Sequence, residues 1–430
     1  MHSKNPTYED VYDEVSKCNR CGFCQAVCPI YSITGSEMNV ARGHNAHVRA
    51  LAEGNSVIST DYKDPLFECL LCRACVSNCN PAVRTDKIVV TGRSEYVKKV
   101  GQSRIMTFLF RNLLTDHQKM GRYVRLVALG KNTGISKLAK AMGILNWFGK
   151  GLGSAEGIVE KLPWTFFRDR VSDLKLKPAK AKMSVAYFVG CAFNYVLPDV
   201  SESTVDVLVS TGAEVKIGDT CCCGVPAYSY GDLEAARNMA RKNIEALEKL
   251  DTDLVITECG SCSSFLKEYP ELFEDDAAMK KRAEAVAHRV KSFSEFMVTE
   301  APDSLSANVF SGKVVTYHDP CHMSRYQKLV KEPRTLLKKL AGLTYKEMPE
   351  ADRCCGAAGS YNVAHYDQSM QVLDRKMQNL KKTGADILTT ECPGCMIQLS
   401  YGVKRAGLAT KVVHINELLR DALKNKRKEK

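Results

Sequence analysis

Apolar and polar residues alternate differently in the two parts of the chain. After residue 182, short β-branched runs (MSVAYFVG, AEVKI, DLVIT, then KVVTYH, TYKEM, DILTT) are separated by amphipathic segments such as LEAARNMARKNIEALEKL and DQSMQVLDRKMQNLKKTG. Strands that alternate with helices predict a parallel α/β sheet. The two series of runs predict that this unit occurs twice.

Before residue 183 the pattern favours helices. SEMNVARGHNAHVRALAEGN is helical in its spacing, and so are RSEYVKKVGQSRIMTFLFRNLL, GRYVRLVALG and ISKLAKAMGILNWFGK, in which basic residues stand between the apolar ones. GKGLGSAEG is typical of a flexible break. We therefore predict a helical amino-terminal region and a basic helical connector.

Composition indicates a globular protein of two or three domains. The chain has 430 residues, of which 45% are hydrophobic, and its apolar runs are too short to span a bilayer. The segment MHSKNPTYEDVYDEVSKC is polar and acidic, unlike a signal peptide, so we expect a cytoplasmic protein with reduced thiols. Clustered reduced thiols indicate metal.

Positive charge is concentrated in the connector. The net charge is +12, and residues 84–182 hold 21 Lys/Arg against 7 Asp/Glu. We expect this region to dock on a partner or on an anionic membrane face, which would make the protein peripheral on the cytoplasmic membrane face. Solvated helix faces are the alternative. The sequence resembles no DNA-reading helix set, so we expect no nucleic-acid partner.

Two four-cysteine runs share one spacing. CNRCGFCQAVCP follows C-x2-C-x2-C-x3-C-P, and CLLCRACVSNCNP repeats it with Cys-Asn-Pro at its end. Three close thiolates hold one face of a [4Fe–4S] cubane, and the fourth cysteine usually belongs to the neighbouring cluster. The predicted ligands form a first cubane set and a second cubane set: Cys18, Cys21, Cys24 and Cys79, then Cys69, Cys72, Cys75 and Cys28.

Zinc is the alternative for these runs, although zinc ribbons pair two C-x-x-C arms instead of repeating a four-cysteine run. Forty residues separate the runs, which favours an all-helical two-cluster ferredoxin over a compact one. His44 and His47 lie in this gap. Eight cysteines already fill both clusters, so we expect the two histidines to be surface or packing residues.

Ten further cysteines follow predicted strands, where open α/β sheets bind ligands. Each half has a lone cysteine, a Cys-Cys-Gly and a C-x-x-C. The first Cys-Cys-Gly set and the second Cys-Cys-Gly set are Cys191, Cys222, Cys223, Cys259, Cys262 and Cys321, Cys354, Cys355, Cys392, Cys395. A cubane or a zinc ion needs four ligands, so a fifth thiol implies a larger or unusual cluster, an exchangeable ligand or a redox thiol.

Zinc, or cysteines of the core, are the alternatives for either set. His318 and His322 flank Cys321 as outer-shell donors, proton carriers or structural residues. The repeat maps Cys222 onto Cys354, which places Cys221 at the position of Arg353. Cys221 is therefore predicted to be an extra thiol outside the set.

Flavin and nicotinamide sites are not expected on this chain. GKGLGSAEG follows no predicted strand and lacks an acidic residue at the distance that a dinucleotide site requires. The flavin or nicotinamide chemistry of a dehydrogenase would then lie on another chain.

These motifs carry a resemblance to a known family. CNRCGFCQAVCPIY, CLLCRACVSNCNP, GCAFNYV, CCGVPAYSYGD, YHDPCHMSRYQ, RCCGAAGSYNVAHYDQSM and ECPGCMIQL resemble the iron–sulfur subunits of glycolate oxidase and related D-lactate dehydrogenases. The broader group includes a heterodisulfide reductase subunit and the iron–sulfur subunit of anaerobic glycerol-3-phosphate dehydrogenase. The likeness is weakest across 95–180.

The resemblance implies an electron-transfer subunit of a flavin-dependent 2-hydroxy-acid dehydrogenase. Its FAD-containing partner would oxidise glycolate or D-lactate, and electrons would leave to quinone, an electron-transfer flavoprotein, a membrane cytochrome or another carrier. Complete five-cysteine sets also resemble those that hold non-cubane [4Fe–4S] clusters in heterodisulfide reductases. The alternative function is therefore catalytic reduction of a disulfide.

The expected fold class is α + α/β. An all-helical two-cluster ferredoxin domain occupies 1–94 and a basic helical connector 95–182. Two repeated Rossmann-like Cys-Cys-Gly domains follow at 183–305 and 306–430.

Overall fold

The alternating region folds into two parallel four-stranded sheets, as its pattern predicts. The computed structural model describes residues 6–145, 151–300 and 310–428. Strand order is β2-β1-β3-β4 in the first sheet and β6-β5-β7-β8 in the second. The strands are β1 Met183–Tyr187, β2 Ala213–Lys216, β3 Leu254–Thr257, β4 Val290–Ser292, β5 Lys313–Tyr317, β6 Leu343–Tyr345, β7 Ile387–Thr390 and β8 Lys411–His414.

Two of these strands, β4 and β8, were not expected from the pattern. Each leads directly into a helix, so no intervening loop marks it as a separate run in the sequence. Both pair in parallel at a sheet edge, Val255 with Val290 and Leu388 with Val412. The remaining strand predictions are confirmed.

Helices cover the sheets and join their cores. Tyr187 and Val205 of the first half pack in one buried cluster with Tyr317 and Leu336 of the second half. The helices of this region are α13 Cys191–Tyr195, α14 Pro198–Ser210, α15 Val225–Ser229, α16 Leu233–Leu250, α17 Gly260–Lys267, α18 Ala277–Arg289, α19 Phe293–Glu300, α20 Cys321–Ser324, α21 Lys331–Lys339, α22 Tyr361–Ala364, α23 Tyr366–Thr383, α24 Pro393–Arg405 and α25 Ile415–Lys428. Helix α14 packs on α25 and α19 packs on α21, so each half covers the other.

The described residues before β1 form helices and turns. Their α-helices are α1 Tyr12–Ser16, α2 Phe23–Val27, α3 Tyr31–Thr34, α4 Ala41–Ala52, α5 Lys63–Phe67, α6 Ala74–Ser77, α7 Thr85–Lys99, α8 Arg104–Phe108, α9 His117–Asn132, α10 Ile135–Ala141, α11 Leu152–Ala155 and α12 Phe167–Arg170. Helix α4 confirms the helix predicted between the two cysteine runs. A single π-helical turn, Leu109–Leu113, extends α8.

The expected flexible break near residue 150 is wrong where the structure describes it. Residues 149 and 150 lie outside the described residues, but 152–155 form α11, which packs on α22 of the second half. Gly153 is buried there. A Cβ at Gly151 would lie 1.6 Å from the carbonyl oxygen of Val363, so glycine serves close backbone approach here instead of flexibility. Within the described residues, no helix is long and apolar enough to cross a bilayer.

Candidate metal centres

The first cubane set surrounds one cavity. Cys18, Cys21, Cys24 and Cys79 all line a space of about 400 Å³, together with Cys75 of the second run. Burial raises the pKa of Cys24, because a thiolate is poorly solvated there without a cation. The fourth thiol of this group therefore comes from the other run, although it is distant in sequence.

The second cubane set surrounds a neighbouring cavity of about 440 Å³. Cys28, Cys69, Cys72 and Cys75 line it. Desolvation by burial raises the pKa of Cys28 to about 11 and that of Cys72 to about 12. Because Cys75 lines both cavities, the two sets are direct neighbours.

The backbone of both runs has the same unusual conformation. Arg20 and Gly22 flank Cys21 with positive φ angles of 54° and 84°, and Leu71 and Arg73 flank Cys72 with 51° and 56°. Left-handed backbone at a non-glycine residue costs about 1–3 kcal/mol and is kept where the surroundings demand it. The left-handed residues on either side of the middle cysteine turn each loop around its own thiols.

The five thiols of the first Cys-Cys-Gly set meet in one buried chain of contacts. Cys191 donates to Cys222 with 3.9 Å between their sulfurs. Hydrogen bonds from the thiols of Cys222 and Cys262 lower the pKa of Cys223 to about 6. Cys259 completes the chain, since its thiol is hydrogen-bonded to Cys262, whose amide also donates to it at 3.4 Å.

The second Cys-Cys-Gly set repeats this arrangement. Cys355 donates to Cys395 with 3.4 Å between their sulfurs. Hydrogen bonds from Cys321 and Cys355 hold the pKa of Cys354 well below its usual value, and one from Cys395 lowers that of Cys392 to about 6. Each set thus presents closely spaced thiols with one another as partners, a donor group suited to a metal cluster.

Cys221 stands apart from these contacts. Its thiol faces the carbonyl oxygens of Cys222 at 3.5 Å and Met239 at 3.7 Å, and its amide donates to the Asn243 side chain. Burial raises its pKa to about 12. This environment suits a neutral thiol.

Of the histidines considered from sequence, His44 is a buried residue on the wall of the second cubane cavity, and burial lowers its pKa to about 3. His47 packs edge-on against Tyr62. His322 bonds to Ser264 and stacks on Tyr326. His318 is buried beside Cys355 and Cys395.

Sequence reasoning missed two carboxyl groups next to the C-x-x-C motifs. Glu258 precedes Cys259 and accepts a hydrogen bond from Tyr187 at 2.7 Å, while Glu391 precedes Cys392 and accepts one from Tyr317 at 3.0 Å. Burial raises the pKa of each carboxyl to about 7. The repeated Thr-Glu-Cys triplet was the signal that could have found them.

The four sets lie in series. Cys72 of the second cubane set packs in one buried cluster with Cys354 and Cys321. Between the α/β halves, Cys392 Sγ lies 3.6 Å from the hydroxyl of Ser261, which belongs to the C-x-x-C loop of the first half. The order is first cubane set, second cubane set, second Cys-Cys-Gly set, first Cys-Cys-Gly set.

Known families match the same segments. The 4Fe-4S dicluster domain family matches residues 14–83, and the cysteine-rich domain family matches 185–267 and again 315–400. The probable glycolate oxidase iron-sulfur subunit of Bacillus subtilis (strain 168) is 33% identical over 427 residues, which cover 96% of this chain and 95% of that protein. The chain belongs to the family of glycolate oxidase iron–sulfur subunits.

A second relative of this iron–sulfur subunit is lactate utilization protein A of Bacillus cereus (strain G9842). It is 35% identical over 243 residues, or 55% of this chain and 98% of that protein. A structure of a hypothetical protein from Helicobacter pylori covers 78% of this chain and 76% of its own at a TM-score of 0.41 and 12% identity, too distant to support an inference. Family membership and the buried thiols together identify an iron–sulfur protein.

Proposed function

We propose that this iron–sulfur subunit transfers electrons from an FAD-containing dehydrogenase of 2-hydroxy acids, of the glycolate or D-lactate type, to quinone or another carrier. The observation that carries the proposal is the series of four thiol sets, each adjacent to the next. The proposed domains are a dicluster ferredoxin at 1–94, a connector at 95–182 and Rossmann-like domains at 183–305 and 306–430.

Each set has a proposed cofactor. The two cubane sets would hold [4Fe–4S] clusters, and one or both Cys-Cys-Gly sets a further cluster of non-cubane type, with zinc as the alternative in one of them. Oxidation of a hydroxy acid to an oxo acid releases two electrons and two protons, and the flavin on the partner would accept them. When bound, such clusters accept and return single electrons.

The chain's own residues hold the second cubane set against the second Cys-Cys-Gly set. Tyr326 donates from its hydroxyl to the carbonyl oxygen of Leu71 at 2.7 Å, and Arg325 donates to that of Cys72 at 3.3 Å. Arg353 donates to the hydroxyl of Ser32 at 2.6 Å. The first two bonds fix the loop of the second cubane set, and the third holds α3 against the residue that precedes Cys354.

One observation favours disulfide reduction as a second candidate. A narrow cleft lined by Arg168 and His117 reaches Cys191 and Cys222. A small ligand could approach the first Cys-Cys-Gly set through it. The relay needs no such opening.

The relay is tested on the anaerobically purified complex with its flavoprotein. Glycolate and D-lactate are added separately, and cluster reduction is followed by electron paramagnetic resonance. We expect reduction in the wild type, and for Cys72→Ser we expect reduction of the first cubane cluster but not of the Cys-Cys-Gly clusters. If neither glycolate nor D-lactate reduces the clusters, but an added disulfide changes their spectrum, disulfide reduction is the better candidate.

The connector supports a proposed peripheral position on an anionic membrane face. Eleven of the seventeen large hydrophobic residues that are exposed in the described part of the chain lie between Ile105 and Trp164. On α9 and α10, Leu126 and Leu138 are 66% and 60% exposed. Apolar residues among basic ones on one helix face are typical of interfacial helices.

Three connector cations, Arg122, Arg125 and Lys131, are the first candidates for this contact. Among them only Arg122 faces solvent without an acidic partner in the described part of the chain. Arg125 pairs with Asp169, and Lys131 is half-buried against Glu156. The better test combines Arg122→Glu with Lys137→Glu and Lys140→Glu, all exposed positions.

Flotation with phosphatidylcholine vesicles, with and without phosphatidylglycerol, measures the effect. We expect binding only to the anionic vesicles, its loss in the triple variant, and no loss in a Lys381→Glu control on α23. Loss of flavoprotein binding in the triple variant, with no vesicle binding in the wild type, would instead assign the surface to the partner.

A further inference from the structure

The two Cys-Cys-Gly sets have the same thiols but different surroundings. His318 follows β5 at the position that Phe188 occupies after β1. The amide of His318 donates to Thr389 at 3.0 Å, and that of Phe188 donates to Ile256 at 2.9 Å, the equivalent bond of the other sheet. The two side chains therefore start from the same place relative to their thiols.

His318 has the arrangement of a metal ligand. One of its ring nitrogens and the sulfurs of Cys355 and Cys395 lie within 4.8 Å of one another. Its Nδ1 donates to the carbonyl oxygen of Ala351 at 3.1 Å, while Nε2 is buried and has no hydrogen-bond partner. A histidine that ligates a metal usually donates its other ring nitrogen to a carbonyl in this way, which fixes the ring and frees a lone pair.

A second difference lies on the helix behind each set. Lys376 is the eleventh residue of α23, and Asn243 is the eleventh residue of α16. Lys376 is fully buried, and its Nζ donates to the carbonyl oxygens of Glu350 at 2.6 Å and Ala351 at 3.1 Å. Asn243 has no charge and bonds to Cys222 and Tyr269.

Lys376 and His318 share the carbonyl oxygen of Ala351. Because Nδ1 carries the hydrogen that bonds to this carbonyl, the neutral ring has its lone pair on Nε2. Burial disfavours the charged form of Lys376, and the thiols of Cys354 and Cys355 favour it. An unpaired lone pair next to electron-rich sulfurs is unfavourable unless a metal ion lies between them.

We propose that the second Cys-Cys-Gly set is a mixed sulfur–nitrogen site, in which Nε2 of His318 is a further ligand to iron and Lys376 stabilises the reduced, more negative state. The first set, with Phe188 and Asn243 at the matching positions, is an all-sulfur site, and the helix behind its thiols has an uncharged residue where the second set has Lys376. This inference rests on the proposed function only in that the second set binds an iron–sulfur cluster. It predicts that two sets with identical cysteines differ in spectrum and in reduction potential.

The nitrogen ligand is tested on anaerobic holoprotein whose histidines carry ¹⁵N. Electron spin echo modulation of the reduced protein should show a directly bound nitrogen that changes with the isotope. The coupling should vanish in His318→Phe, which installs the residue of the first half, and should persist in His44→Phe. A wild-type spectrum without such a nitrogen, or one unchanged in His318→Phe, would overturn the proposal.

Iron analysis separates this inference from the proposed function. Cys395→Ser should lose iron, and if it retains the full content, the second set binds no cluster and the proposed cofactor assignment fails as well. Loss of iron in Cys395→Ser together with no nitrogen coupling in the wild type overturns the histidine ligand alone. If His318→Phe fails to fold, the isotope effect in the wild type still shows whether a histidine nitrogen is bound to the cluster.

The role of Lys376 is tested by redox titration. Lys376→Met should shift the midpoint potential of one cluster downward, because loss of a buried positive charge destabilises the reduced state. Asn243→Leu is the matched change in the first half and should leave that potential unchanged. An unchanged potential in Lys376→Met would refute the charge effect.

Discussion

Arg73 contacts the amino-terminal helical region and both α/β halves, so its removal tests how these parts are held together. Its guanidinium lies 2.7 Å from Asp86 in α7, 2.7 Å from Glu268 in the first α/β half and 3.4 Å above the ring of Tyr326 in the second. The Arg73 side chain is 10% exposed, and those of Asp86 and Glu268 are 6% and 19% exposed. Arg73→Met keeps the aliphatic stem and removes the charge.

The expected loss follows from which carboxylate is left unpaired. Breaking a buried ion pair costs about 3–5 kcal/mol. Asp86 keeps Arg84 at 2.9 Å, so only Glu268 loses its partner. Burial already raises the pKa of Glu268 to about 7, so this carboxyl can take up a proton at little cost near neutral pH. We expect the lower end of that range, about 3 kcal/mol.

The pH dependence has a definite sign. In the variant, the pKa of Glu268 in the folded state rises further above its unfolded value, because the neighbouring guanidinium no longer favours the charged form. A raised carboxyl pKa gives stability that is lost as the pH rises through it. The variant should therefore be closest to the wild type at pH 6 and furthest from it at pH 8.

Thermal unfolding of the anaerobic holoprotein, followed by circular dichroism and by cluster absorbance, measures the loss. At roughly 2–4 °C per kcal/mol, the midpoint should fall by about 6–12 °C at pH 8. Arg49→Met removes an exposed pair with Glu53 and should have no measurable effect. The reasoning is refuted if Arg73→Met behaves like Arg49→Met, or if adding Glu268→Gln restores none of the loss.

The remaining predictions concern the thiols and one glycine. Cys221→Ser should keep the iron content of the wild type, whereas Cys222→Ser should lose a cluster; equal iron in both variants would contradict the assignment of Cys221 as the extra thiol. Gly356→Ala should destabilise the protein by about 2 kcal/mol or more in chemical unfolding, because φ is +89° and the new Cβ would lie 2.8 Å from the carbonyl oxygen of Ser369. Gly130→Ala in α9, where the space is open, should be neutral or stabilising by up to about 1 kcal/mol, and a loss equal to that of Gly356→Ala would contradict the steric argument.

The sequence by itself determined the features that depend on local spacing. Short β-branched runs and helical patterns were enough to predict both α/β halves, because the central strands are buried on both faces and each long helix buries one face. Cysteine spacing indicated two cubane motifs, and the repeat separated Cys221 from Cys222. The two strands that were not predicted, β4 and β8, run directly into helices, so no loop separates them from the helical pattern that follows.

Only the tertiary structure decided which residues from distant segments contact one another. It brought Cys79 to the first cubane cavity, packed Cys72 beside Cys354, and left Nε2 of His318 without a partner at the second Cys-Cys-Gly set. These contacts join residues that are far apart along the chain, and hydrophobic periodicity carries no information about such pairs. The two Cys-Cys-Gly sets are alike in sequence pattern, and it is packing around the thiols that makes them different.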